Sequence, residues 1–127
     1  MNFSTLISAE QLKTLLSSSR PVMVFDCSFD LGQSGLGRQQ YVEAHIPGAV
    51  YASLDTALSA HGGPSASGGR HPLPTREAFV QWLTRVGMTN TTQAVVMDRN
   101  GVNYCGRLWW MLKWVGHENV AVLDGGL

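Results

Sequence analysis

An excess of charge of either sign is missing from this sequence. Nine basic residues stand against nine acidic ones, for a formal net charge of zero, and no run of like charges occurs. Nothing in that balance would draw a nucleic acid or an anionic membrane surface, so no nucleic-acid partner is expected. Cysteine is scarce too. Cys27 and Cys105 lie far apart, with no CxxC pair and no cysteine and histidine spacing suited to zinc, so neither a disulfide framework nor a structural metal is indicated. Long hydrophobic runs are also missing: no apolar stretch approaches the roughly eighteen residues of a membrane span. The opening MNFSTLISAEQ has neither the basic region nor the apolar core of a secretory signal. A cytoplasmic chain without a membrane partner is the expectation.

What is present suffices for one domain over residues 1–127, since this length and a hydrophobic content of 44% can bury a sizeable core. Ser8 followed by Gln11 has the form of a capping box, so a helix is predicted to about Ser18. Leu12, Leu15 and Leu16 would share its face, and residues 17–21, SSSRP, would end it. Residues 22–25 read as a short buried strand stopping at Asp26, residues 31–37 as a glycine-rich mobile loop, and residues 38–44 as a short helix. His45-Ile46-Pro47-Gly48 turns the chain into a strand toward Tyr51, with His45 as a hydrogen-bonded group holding the turn. Residues 56–70, rich in Gly, Ser and Ala and without hydrophobic periodicity, read as a flexible surface excursion. Thr75 caps the next predicted helix, which carries Phe79, Trp82, Leu83 and Val86 on its buried face and stops at Gly87.

Residues 94–114, AVVMDRNGVNYCGRLWWMLKW, organise the rest. A β-rich apolar run meets Asp98, crosses a polar turn with Gly101 and enters a helix predicted over 103–115, and residues 120–123 then read as another strand. In an open α/β sheet such a loop lies beyond the carboxyl end of a strand, with the free N–H groups of the next helix aimed into it. What occupies that loop therefore decides the function. The pattern predicts an α/β domain with a central parallel five-stranded sheet, helices on both faces and right-handed crossovers.

The run VVMD, the short loop and then GRLWWMLKWVGHENVAVLDGGL resemble the first half of a tandem rhodanese-type sulfurtransferase, of the thiosulfate or 3-mercaptopyruvate kind. YVEAHIPGAVY, residues 41–51, is similar to the segment leading into a central strand of that fold, and with VMVFD these blocks keep family order over nearly the whole chain. The resemblance implies a rhodanese-like fold in which the 22–26 and 120–123 strands lie beside the 94–97 strand. It also implies a small-molecule sulfur donor, a thiophilic acceptor such as cyanide or a thiol, and no metal or organic cofactor. Active members carry a cysteine at the end of this strand, as first residue of a loop whose amides hold a persulfide. Here that position is Asp98, an inactive-loop residue by this reading, because a carboxylate cannot accept and pass on sulfane sulfur and repels an anionic donor. The chain is thus expected to be a noncatalytic N-terminal half, inactive alone. Its implied partner is the C-terminal catalytic rhodanese domain of the same chain. Tandem members continue past DGGL with a closing helix, a linker and that domain, so the sequence reads as a truncated piece.

In mercaptopyruvate-type relatives, a first-half aspartate just after the GA-initiated strand and a histidine just before the Leu-Pro of the next helix reach across to the other half's loop. Asp55 and His71 match those positions and are the auxiliary catalytic candidates, and the histidine tilts the donor toward 3-mercaptopyruvate. A carboxylate orients and charges an imidazole, which polarises a hydroxyl or the ketoacid carbonyl. Without the resemblance they would read as a loop histidine and a turn aspartate. Arg99 and Arg107 flank the loop as anion-binding candidates, set against the usual solvated arginine whose surface pairs contribute only about 0–1 kcal/mol. Cys105 is the alternative nucleophile: a helix start favours a thiolate, although free cysteines are commonly small buried hydrophobes. Trp109 and Trp110 point about 100° apart on a helix, so both cannot face one sheet and one is expected to meet the partner half.

The leading function is therefore sulfur transfer by a tandem enzyme to which this half contributes an interdomain wall, Asp55 and His71. The alternative is a stand-alone noncatalytic rhodanese-like binding or regulatory module, and a third reading makes Cys105 active by itself. A sheet face lacking its closing helix exposes apolar surface, so the 127-residue chain is expected to self-associate. Gel filtration checks this: a stable monomer that also unfolds in one sharp transition counts against it.

Overall fold

The computed structural model describes residues 2–33, 35–60, 65, 67–69 and 71–126. Along them strands and helices follow as β1 (Leu6–Ile7), α1 (Ala9–Leu16), β2 (Val22–Asp26), α2 (Leu36–Glu43), β3 (Val50–Tyr51), α3 (Arg76–Arg85), β4 (Gln93–Met97), α4 (Cys105–Trp114) and β5 (Val120–Leu123). The five strands form one parallel sheet in the order β1-β5-β4-β2-β3. β4 is central and buried along its whole length, flanked by β5 and β2 as expected.

The side-chain period of two sends alternate residues of these strands to opposite faces. Ala94 and Val96 of β4, Phe25 of β2, and Val120 and Val122 of β5 join Phe79 and Leu83 of α3 and Leu108, Met111 and Leu112 of α4. Val95 and Met97, Val24, Ala121 and Leu123 join Leu12 and Leu15 of α1 on the other side, with Tyr41 of α2 packed against them. Strands with both faces covered have no polar face to show, which is why β4 reads as a continuous apolar run.

Local signals explain the helix starts. The Gln11 N–H donates to Ser8 Oγ (3.1 Å) and the Ser8 N–H to Gln11 Oε1 (2.9 Å), a complete capping box, while Thr75 Oγ1 accepts from the Ala78 N–H (3.2 Å). Past α3, Gly87 adopts φ +98, a left-handed stop. His45 holds its turn as expected, donating from Nδ1 to the Tyr41 carbonyl (2.7 Å) and stacking on the Tyr41 ring.

Several boundaries differ from expectation. α1 ends at Leu16, which is 45% exposed at the helix's last position, while Leu12 and Leu15 are buried. α2 begins at Leu36 rather than Arg38, shortening the 31–37 loop, since Gly37 lets its first turn close onto the Ser28 carbonyl. β1 has only two residues, too few to leave a periodic signal, and is defined by its pairing with β5. Within the excursion at 56–70, positions 61–64, 66 and 70 lie outside the described residues. Leu58 is not on the surface but in the core beside Phe79, and the Ala60 N–H donates to the Pro72 carbonyl (2.9 Å). Trp109 packs against the core and donates to the Ser4 carbonyl, whereas Trp110 is exposed and stacked on Trp114. Among the described residues no helix is long and apolar enough to cross a membrane.

A β-carbon on Gly37 would lie 1.9 Å from the Ser28 carbonyl oxygen and 2.8 Å from Tyr51 Oη. Gly37→Ala is therefore expected to lower stability by roughly 2–4 kcal/mol, seen as a drop in the urea midpoint. Gly35→Ala, where a β-carbon meets nothing, should stay within about 0.5 kcal/mol of the parent. Equal midpoints for the two variants would contradict this close approach.

Candidate functional site

The parallel strands place their carboxyl ends on one edge, and the loops after β2, β3 and β4 meet there. The loop after β4 coils around the side chain of its own first residue. Asp98 Oδ1 accepts the N–H groups of Asn100 and Val102, and Oδ2 those of Tyr104 and Cys105, all at 2.9 Å. Two of the donors lie at the start of α4, where amides have no partner within the helix and the dipole favours an anion. Burial pushes the Asp98 carboxyl upward, but the four amides outweigh it and hold the group below the ordinary carboxylate range. This coil also delays α4, which starts at Cys105 instead of residue 103.

Closing so tight a ring strains the backbone. Gly101 and Val102 adopt φ +67 and +70, and for a β-branched residue that is an outlying conformation. Val102 adopts it with its N–H on Asp98 and its side chain 42% exposed. Strain of this kind persists only where the surroundings over-determine it.

The loop after β2 is stitched onto this ring. Ser28 donates its N–H to Asp26 Oδ1 (2.9 Å), and its Oγ accepts from the Arg99 N–H (3.1 Å). Asn100 Oδ1 accepts from the Phe29 N–H (3.2 Å). The Phe29 ring stands edge-on to both Tyr104 (5.5 Å) and His71 (6.0 Å).

His71 Nε2 and Asp55 Oδ1 are 3.0 Å apart, so the two residues singled out from the loops after β3 do meet. Both are partly exposed, the imidazole at 16% and the carboxylate at 36%. Such a pair can orient an imidazole and hold a proton at one ring nitrogen beside a bound group.

The arginines are turned inward to main-chain carbonyls. Arg107 Nη2 donates to the carbonyls of Leu58 (2.7 Å) and His71 (2.8 Å) and reaches Ser59 Oγ at 3.5 Å. Arg99 donates to the Ala44 carbonyl and lies 3.7 Å from the buried Asp26 carboxylate. These contacts tie segments together and give neither guanidinium the outward aim that anion binding would use.

Cys105, expected near a helix start where a thiolate is favoured, is fully buried as the first residue of α4. Burial first, and then the Asp98 charge, push its thiol up to about 12, overriding the helix dipole. It is a protonated core side chain at neutral pH. Burial likewise raises Cys27. Among the described residues no group of three His, Cys, Asp or Glu side chains is arranged to hold a metal ion.

Ser28, Phe29 and Tyr104 carry no motif and were not singled out. Their only signal was position, just past the carboxyl end of β2 or just before α4.

Comparison with known proteins matches residues 8–127 to the family model described as Rhodanese-like domain. A "Probable 3-mercaptopyruvate sulfurtransferase" of Pseudomonas aeruginosa is 38% identical over 130 aligned positions, covering all of this chain and 44% of that protein. The 3-mercaptopyruvate sulfurtransferase of Rattus norvegicus is 33% identical, over 98% of this chain and 42% of its own. Among solved structures, SseA from Escherichia coli, a 3-mercaptopyruvate sulfotransferase, superposes with a TM-score of 0.81 at 30% identity, over 98% of this chain and 46% of that one. The chain thus spans less than half the length of these relatives.

Replacing Asp98 tests the ring. Asp98→Asn keeps one acceptor oxygen but sets an NH2 group against two inward N–H donors, and should cost roughly 2–4 kcal/mol at neutral pH by urea denaturation. Because the folded carboxyl is depressed below its unfolded value, its contribution is complete above about pH 4 and is withdrawn as the pH falls through and below that value. The gap between parent and variant should therefore narrow on acidification. A gap independent of pH would mean that the carboxylate charge contributes nothing there.

Proposed function

The chain belongs to the rhodanese-like domain family, and on that premise we propose that it is the noncatalytic N-terminal half of a tandem thiosulfate or 3-mercaptopyruvate sulfurtransferase. The carrying observation is the Asp98 carboxylate inside the amide ring. That ring lies where the family resemblance assigns the persulfide, and here a permanent, covalently attached anion fills it. A second anion cannot enter without displacing Asp98, and a carboxylate has no sulfur to exchange. The thiols near the loop, Cys105 and Cys27, are buried, and burial raises both above the ordinary thiol range.

In this reading the C-terminal catalytic half carries the nucleophile. Its cysteine thiolate attacks the sulfur of 3-mercaptopyruvate or the outer sulfur of thiosulfate, and the C–S or S–S bond breaks as the persulfide forms. The leaving group departs as the pyruvate enolate, which takes up the proton of the donor thiol, or as sulfite. An acceptor thiolate or cyanide then takes that sulfur and returns the thiolate. This half supplies an interdomain wall and the Asp55–His71 pair, whose imidazole polarises the ketoacid carbonyl or a hydroxyl beside it. The presence of His71 beside Asp55 favours 3-mercaptopyruvate as donor.

Sulfur transfer to cyanide from each donor tests the assignment. The 127-residue chain should show no turnover above background, with Cys105→Ser unchanged, whereas activity abolished by that substitution would make this half a catalyst itself. In the full-length protein, Asp55→Asn and His71→Ala should each lower kcat/KM for 3-mercaptopyruvate by about 10²-fold. A gene encoding no strand-end cysteine beyond Leu127 would instead favour a stand-alone binding or regulatory module.

A further inference from the structure

We infer that Arg107 is a positioning residue for the Asp55–His71 pair, holding the imidazole in register by clamping the main chain that carries it. The inference rests on the proposed role of that pair and extends it to a residue that touches neither donor nor acceptor.

The geometry has two parts. Arg107 lies in the first turn of α4, the segment whose first amide is bound to Asp98, so its starting point is fixed relative to the sheet. From there its guanidinium reaches the carbonyls of Leu58 and His71, on the two sides of the excursion between β3 and α3, at 2.7 and 2.8 Å. The second of those carbonyls belongs to the histidine itself. Close by, the Ala60 N–H donates to the Pro72 carbonyl, so the two sides are joined by direct bonding as well.

His71 lies outside every strand and helix, and its ring is met by Phe29 from one side and Asp55 from another. Among the described residues the buried Arg107 Nε has no acceptor, an unfavourable placement that the Nη2 bonds must outweigh. A side chain kept in that state is serving the carbonyls it reaches. Both bonds leave from the one nitrogen Nη2, so lysine, with a single nitrogen on a differently shaped stem, would keep the charge and part of the clamp, and a side chain with no donor would keep none.

The test uses the full-length protein with 3-mercaptopyruvate as donor, and reads both kinetics and the ring N–H resonance of His71, assigned by its loss in His71→Ala. Arg107→Ala should abolish that resonance through fast exchange with water and lower kcat by about ten- to a hundredfold, with little change in KM. Arg107→Lys should recover part of both. A folded Arg107→Ala protein with an unchanged His71 resonance overturns the clamp. Where the alanine variant does not fold, Arg107→Met, which keeps an apolar stem and no donor, carries the test, and an unaltered resonance there overturns the clamp equally. Loss of the resonance with kcat untouched in Arg107→Ala, Asp55→Asn and His71→Ala alike would uphold the clamp and overturn the catalytic role assigned to the pair.

Discussion

A single carboxylate satisfying four backbone amides is the constraint on which this edge of the domain depends. Loop amides beyond a parallel strand converge on one point, and convergent N–H groups shielded from water need an anion or a set of acceptors there. Asp98 provides both oxygens, each taking two bonds. The left-handed backbone at Gly101 and Val102 is the geometric consequence: only by curling that far can residues 100, 102, 104 and 105 all aim at one side chain. Remove the charge and the strain at Val102 loses the bond that opposes it.

From that anchor the structure propagates outward through rigid pieces. The ring fixes the start of α4, α4 presents Arg107, and Arg107 holds the carbonyls of Leu58 and His71. On the other side Ser28 and Asn100 tie the loop after β2 to the same ring, bringing Phe29 against the His71 imidazole. The imidazole is therefore positioned from two directions by segments that both lead back to residues 98–105. A loop filled by its own aspartate is in this view a scaffold.

The parts of this arrangement that were legible in the sequence are those governed by short-range rules. Buried parallel strands read as apolar runs at 22–26, 94–97 and 120–123, and the capping residues Ser8 and Thr75 stand where a side-chain oxygen meets a free amide. Asp98 was recognisable as the strand-end residue, and Asp55 and His71 as a pair, through the family pattern of their flanking segments. What stayed hidden depends on distance through space. Nothing local distinguishes Arg107 from a solvated helix arginine, since its partners lie at residues 58 and 71. The burial of Cys105 overrides the helix-start rule because it sits in the core with Cys27 and the Asp98 carboxylate close by, neither of them on its own helix. Leu58 looked like part of a polar excursion because fourteen of its neighbours in that stretch say so, and one leucine finding the core leaves no period.

If, as proposed, this half carries no sulfur, the amide ring is still accounted for by what fills it. A thiolate or persulfide is an occupant that comes and goes, and the ring must tolerate both states. A carboxylate held below its ordinary range is charged at neutral pH, so the donors of the ring keep an anionic partner there. Filling the ring permanently removes its chemistry and retains its mechanical role. Under the proposed function, in which a catalytic half receives an imidazole at a fixed distance, that mechanical role is a reason for the ring to persist.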